Sequence, residues 1–210
     1  QVVQEEISRM EKTVQGLLDF ARPAQLHRMR HDLRDTLRRA LNLMEGRARQ
    51  EQVTISTDLP TRPVLVEGDP EQLNQVFVNL LLNGIEAMKQ GGSLSVAMRV
   101  PEDAGGPLRV IFRDSGAGIP EAVMQHIFEP FITSKERGTG LGLAVSRRIV
   151  GEHGGRLTAE NQSGGGAVFV VELPSIAKGQ PAGSGATSLT GDSRGPGAAS
   201  LKPNQEAVHG

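Results

Sequence analysis

Apolar positions along this chain follow two periods. In residues 1–22, Val3, Ile7, Met10, Val14, Leu17 and Ala21 are spaced 4-3-4-3-4, and Pro23 follows. This heptad seam predicts one long helix that needs a partner helix, ended by the proline. Residues 24–30 read as a linker. A second amphipathic helix is predicted over 31–50, with Leu33, Leu37, Ala40, Leu41 and Met44 as its apolar face. VTISTDL (53–59) and VLVEG (64–68) read as strands. DPEQL (69–73) predicts a helix start, with Asp69 as N-cap and Pro70 at the first position, and the helix is expected to reach about Lys89. LSVAMRV (94–100) and LRVIFRD (108–114) alternate as strands do. Residues 115–139 read as an irregular, glycine-bearing segment, followed by a helix from about 140 to 153. RLTAEN (156–161) and AVFVVEL (167–173) read as a last hairpin. The elements add up to an α+β fold, a two-layer sandwich of a mixed sheet with helices on one face, preceded by one long helix.

Composition changes this picture little. From Ser175 the chain is Gly, Ala, Ser and Pro with scattered charge, too poor in apolar side chains to offset the entropy of ordering, and disorder is expected over 175–210. With 23 basic and 24 acidic residues the net charge is −1, so no broad field draws the chain to nucleic acid or to a membrane surface. There is no cysteine, hence no disulfide and no thiolate metal site. No apolar run approaches the ~20 residues of a membrane-spanning helix. A cytoplasmic setting is expected, for a fragment whose parent protein is membrane-anchored or not. Trp and Tyr are absent and Phe numbers six, so the core must be aliphatic.

Four stretches carry candidate chemistry. In RGTGLGLAV (137–145), Gly138, Gly140 and Gly142 alternate just before a helix. Each lowers helix stability by roughly 1 kcal/mol relative to alanine. Glycines at a helix N-terminus also let backbone N–H groups approach an anion, although they mark ordinary turns as well. In QVFVNLLLNGIEAM (75–88), Asn79 and Asn83 are four apart on one helix face among aliphatic neighbours. Buried amides need partners, either nearby backbone or a hard cation such as Mg²⁺. RDSGAGIP (113–120) puts an acid at a strand end before two glycines, a carboxylate that could accept from a base amine, or a plain turn. In IFEPFITSKERG (127–138), Phe128 and Phe131 suggest docking of a flexible loop, and Lys135 and Arg137 are either phosphate ligands or a solvated pair.

Together these stretches resemble the ATP-binding catalytic domain of sensor histidine kinases, within the superfamily that includes gyrase B and the mismatch-repair ATPases. NLLLNGIEA is similar to the N box, DSGAGIP to the G1 box, FEPF to the F box and GTGLGL to the G2 box. GGGAVFVVELP (164–174) is similar to the closing glycine and strand. The resemblance covers about 31–174, implies the Bergerat ATP-binding fold, and with PFITSK is nearest the nitrogen-regulation group. EEISRMEKTVQGLLDFARP resembles the second helix of the family's dimerisation hairpin, giving residues 1–23 that role.

The resemblance implies roles for particular residues. Asp114 would bond the adenine amino group, with Gly116, Gly118 and Ile119 passing close to the base. Asn83 would ligate Mg²⁺, and Asn79 would support it or contact phosphate as part of the catalytic machinery. Lys135 would steady the phosphates. Phe128, Gly138, Thr139, Gly140, Leu141 and Gly142 would complete the nucleotide site and its mobile lid. Hydrolysing members carry Glu at the Asn79 position; an amide cannot take a proton from water at neutral pH. The implied activity is therefore transfer of the ATP γ-phosphate to a histidine, then to the aspartate of a response-regulator receiver domain, with the full-length protein a homodimer joined through the hairpin helices. HDLRDTL (31–37) looks like the phospho-acceptor box but follows Pro23 and has Thr36 where that box has proline, so His31 is expected to be structural. The acceptor is expected to lie on a hairpin helix outside this fragment. His153, near a helix C-terminus, is expected to sit where a cation is favourable. The competing readings are a nucleotide-binding regulatory module without transfer activity, and a slow ATPase or serine kinase of the same superfamily.

Overall fold

A computed structural model of the chain describes residues 26–101, 106–133 and 138–175. All lie in the first of two compact units, Gln1–Gln180. The expected first helix, the expected disorder beyond Ser175, Lys135 and Arg137 fall outside the described residues.

The domain opens differently from expectation. Met29–Asp32 form a strand, β1, where a linker end and a helix start were expected. It pairs antiparallel with β3 (Leu65–Gly68), His31 lying opposite Val66. Asp32 causes the change of conformation. Its carboxylate caps α1 (Leu33–Gln50), accepting from the Arg34 N–H at 3.1 Å, and also accepts from the Val64 N–H at 3.1 Å. The Arg34 guanidinium closes the knot, 2.6 Å from Asp32 Oδ2 and donating to the carbonyls of Pro60 and Thr61 at 3.2 and 2.7 Å. Strand pairing thus begins the domain, and the helix starts two residues later than its apolar pattern suggested.

The remaining elements are β2 (Val53–Asp58), α2 (Pro70–Glu86), β4 (Gly92–Arg99), β5 (Pro107–Asp114), the short α3 (Glu121–Met124), α4 (Gly142–Glu152), β6 (Arg156–Asn161) and β7 (Ala167–Pro174). α2 stops short of Lys89, its last turn tightening as the Ala87 N–H is shared between the Asn83 and Gly84 carbonyls and the Met88 N–H donates to that of Ile85. Five strands form one sheet in the order β2-β4-β5-β7-β6. Only β2 and β4 run parallel; the other neighbours are antiparallel, so the sheet is mixed.

Alternation decides what the helices see. Leu108, Val110 and Phe112 of β5 are buried, whereas Arg109 and Arg113 are exposed. Leu73, Val76, Phe77, Leu80, Leu81 and Ile85 of α2 meet that apolar face, the rings of Phe77 and Phe112 lying 6.0 Å apart and tilted by 38°. The same alternation carries on one step past Phe112. It turns Asp114 inward, where it is 4% exposed. A carboxylate at the end of a core strand is thereby set between α2 and the start of β7 rather than in water.

Candidate functional site

α2 is the hub of the site. Asn79 and Asn83 sit one turn apart on it and are half-buried, not enclosed as their aliphatic neighbours suggested. Asn79 Nδ2 donates to Ser146 Oγ on α4 at 3.0 Å, and Ser146 itself is buried. Gly142 opens α4 directly beside that amide: a Cβ there would fall 2.3 Å from Asn79 Oδ1. With Nδ2 committed to Ser146, Asn79 offers its carbonyl oxygen to the start of α4. The first N–H groups of a helix have no intrahelical acceptor and attract anions.

The other half of α2 packs on the acid. A Cβ at Gly84, the residue after Asn83, would come within 3.7 Å of the Asp114 Cβ. Asp114 Oδ1 accepts from the Gly116 N–H at 2.9 Å and the Ala167 N–H at 3.3 Å. Oδ2 takes no hydrogen bond from the described residues. The loop beyond is held from β6 and its turn. Gln162 Nε2 donates to the Asp114 carbonyl at 2.9 Å, and Asn161 pairs with both backbone groups of Ile119. Ser146, Asn161 and Gln162 were not singled out from the sequence. The only local signal was a pair of amides (ENQSGGG) at a strand end.

The segment between β5 and α4 closes on itself. Phe128 is half-buried under the Arg147 guanidinium, whose Cζ is 5.3 Å from the ring centroid. Phe131 does not dock; it is 61% exposed and its φ is +68°. The expected docking through aromatic rings therefore holds for Phe128 alone. The Phe131 N–H donates to the Gly140 carbonyl at 3.0 Å. Gly140 has φ +67°, and a Cβ there would meet the Phe131 carbonyl carbon at 2.5 Å, so only glycine fits. Gly138 and Thr139 follow the loop half-buried. Thr139 Oγ1 accepts from the Leu141 N–H at 3.4 Å, and Leu141 is buried.

Three histidines sit near candidate chemistry, in three different environments. His31 lies on β1 with Nδ1 3.1 Å from the Met29 carbonyl and Nε2 buried without a hydrogen-bond partner. His126 Nδ1 is 2.8 Å from Glu129 Oε1. His153 is buried: Nε2 accepts from the Asp69 N–H at 2.9 Å, so Nδ1 carries the proton and donates to the Ile149 carbonyl at 2.7 Å. The ring is thus neutral, not the cation its place at a helix end suggested. Burial lowers its pKa below the usual 6.5, with a further push from the Arg28 charge. The Ile149 carbonyl and the charges of Asp69 and Glu152 pull the other way without prevailing.

No group of three or more His, Cys, Asp or Glu among the described residues could hold a metal ion. A cation here would need amide oxygens with phosphate and water, the donor set Mg²⁺ favours, and the side chains of Asn79 and Asn83 supply such oxygens.

Residues 68–176 match the model of the histidine kinase-, DNA gyrase B-, and HSP90-like ATPase family. The chain is 36% identical over 173 residues to the sensor histidine kinase ZraS of Klebsiella oxytoca, a match spanning 82% of this chain and 37% of that one. It therefore spans less than two fifths of that curated relative. Among solved structures, the catalytic domain of histidine kinase ThkA is 33% identical with a TM-score of 0.64, covering 71% of this chain and 98% of that one. ThkA in complex with the response regulator protein TrrA is 29% identical with a TM-score of 0.71, covering 85% of this chain and 51% of that one.

Proposed function

This chain belongs to the histidine kinase-, DNA gyrase B-, and HSP90-like ATPase family, and from that premise we propose that it is the ATP-binding catalytic part of a protein-histidine kinase in a two-component system. The observation that carries this reading is Asn79, fixed by Ser146 beside the start of α4. That position receives phosphate in this reading, and it holds an amide instead of a proton acceptor. Water is left without a general base, so the γ-phosphate waits for an imidazole nitrogen brought by another segment.

The residues divide the work. Asp114 takes the adenine amino group, and the Gly116–Ile119 loop lies against the base. The N–H groups opening α4 from Gly142 take phosphate oxygens. Gly138, Thr139, Gly140 and Leu141 form the lid end nearest the phosphates, and Lys135 would reach the phosphates from the lid. Bound Mg²⁺, held through the Asn83 amide oxygen with phosphates and water, would neutralise charge on the transferring group. The acceptor histidine comes from a first hairpin helix outside these residues, with residues 1–23 as the second helix and contact to the other subunit. A response-regulator receiver domain takes the phosphoryl group onward. In this reading His31 is a structural residue of β1, which is supported by Nδ1 lying 3.1 Å from the Met29 carbonyl and by the burial of Nε2. Among the described residues no helix is long and apolar enough to cross a membrane, and the proposed setting is cytoplasmic.

The test is incubation with Mg²⁺ and γ-labelled ATP, alone and with an intact acceptor hairpin added, alongside His31→Ala. The expected result is acid-labile, base-stable label on the added hairpin and none on this chain. Acid-labile label on this chain that disappears in His31→Ala would overturn the placement of the acceptor. ATP bound with no label anywhere would favour a regulatory module.

A further inference from the structure

The reciprocal pair between Asn161 and Ile119 is the least expected contact of the site. Ile119 N–H donates to Asn161 Oδ1 at 2.7 Å, and Asn161 Nδ2 donates to the Ile119 carbonyl at 2.8 Å. The side-chain amide thus copies a rung of a β-ladder, with one donor and one acceptor matched to one residue's backbone. Both bonds fall on the loop that leads from Asp114 past the proposed base site. The neighbouring Gly118 has φ +78°, and a Cβ there would lie 2.9 Å from Asn161 Oδ1. The glycine thus gives the loop both its left-handed turn and its close approach to the amide.

The next residue reinforces this contact. Gln162 Nε2 reaches back 2.9 Å to the Asp114 carbonyl, and a Cβ at Gly166 would fall 2.0 Å from that same oxygen. The last residue of β6 and the turn that follows it therefore touch both ends of the loop that starts at Asp114 and finishes at Ile119. The loop has no regular structure of its own from Ser115 to Pro120. Among the described residues, its other hydrogen bonds as far as Ile119 lie at its start, between Ser115 and Ser93 in both directions at 3.0 Å and from the Gly116 N–H to Asp114, so the Ile119 end is held by Asn161.

We propose that Asn161 is a positioning residue for nucleotide binding, whose amide holds the Gly116–Ile119 loop in the form that receives the base. The inference rests on the reading of Asp114 as the adenine acceptor, and goes beyond it by placing the control of that site on the far hairpin. Asn161 is exposed and lies outside the apolar core, so its truncation should reach the loop without unfolding the sheet. A preordered loop binds more tightly because less conformational freedom is lost on binding.

The test uses the whole chain with Mg²⁺ and a fluorescent ATP analogue, comparing wild type with Asn161→Ala. Hydrogen exchange at the Ile119 amide and thermal unfolding are followed in the same samples. The expected result is binding weaker by about tenfold when measured well below the unfolding transition, the scale of one or two lost hydrogen bonds, with faster exchange at Ile119 and an unfolding temperature lowered by no more than about 5 °C. Equal affinity in both proteins would overturn the role of Asn161 and leave the ATP site standing. A loss of affinity that follows a fall in unfolding temperature, absent when binding is measured well below it, would make Asn161 merely structural and overturn the role too. Failure of the wild-type chain to bind the analogue would overturn the site assignment itself.

Discussion

Asn79 of α2 and Ser146 of α4 stand 67 residues apart in the chain and 3.0 Å apart in the fold. Their bond joins the helix carrying both site asparagines to the helix whose first residue, Gly142, lies against Asn79. It also orients the Asn79 amide, because a side-chain amide has one acceptor end and one donor end and Ser146 occupies the donor.

Gly142→Ala tests that orientation. Alanine raises helix propensity by about 1 kcal/mol, yet its methyl would sit 2.3 Å from Asn79 Oδ1 and turn the amide away. The expected outcome is little change in unfolding temperature and binding of Mg²⁺–ATP weakened by about tenfold. Combined with Ser146→Ala, the losses should be less than additive, since both act on one amide. Additive losses in a double-mutant cycle of binding free energies would show that the two act separately.

Asp114→Asn separates charge from shape. The variant keeps an oxygen for the Gly116 and Ala167 N–H groups, so the loop should stay in place, while the anionic acceptor for a base amine is lost. Wild type should show a rise in unfolding temperature on adding saturating ATP, about 2.7 kcal/mol of stabilisation at a hundred times Kd. The variant should show almost none at the same nucleotide concentration. A wild-type-sized rise would remove Asp114 from base recognition.

Arg34→Ala probes the stretch that imitates a phospho-acceptor box. The Asp32–Arg34 pair is 14% and 10% exposed at its side chains. Burial by itself would raise the Asp32 pKa, but the bonds from Arg34 and the Val64 N–H outweigh it and hold the pKa below 3.8. Removing the guanidinium strands a mostly buried carboxylate and uncovers the Pro60 and Thr61 carbonyls. The cost should be about 3 kcal/mol in urea unfolding, with ATP affinity of the folded fraction unchanged.

His153 makes stability depend on pH in a stated direction. Its folded pKa lies below 6.5, so between that lowered value and 6.5 the unfolded chain binds more protons and stability rises with pH. The contribution is complete above pH 6.5 and is lost as pH falls through the folded pKa. Protonation at Nε2 would set an N–H against the Asp69 N–H. Urea unfolding across pH 5–8 should show this slope in wild type and its reduction in His153→Asn. An unchanged slope in the variant would assign it to other groups.

What the residues determined alone is local and periodic. Alternation placed the β5 strand and its buried face, and Asp69 and Pro70 marked the start of α2 within a residue. The glycine motifs located the turns because φ above zero and close backbone approach are properties of single positions, as at Gly140. Expectation failed where a polar residue's role depended on what lies across the fold. His31 and Asp32 were read as a helix start because β1 exists only through its pairing with β3, more than thirty residues on. His153 looked like a cation at a helix end until the Asp69 N–H, 84 residues away, took its lone pair. Asn161 and Ser146 carried no periodic signal at all. Hydrogen-bonding side chains are equally at home in water, so only the packing of helices against the sheet selected which of them would meet Asn79 and Ile119.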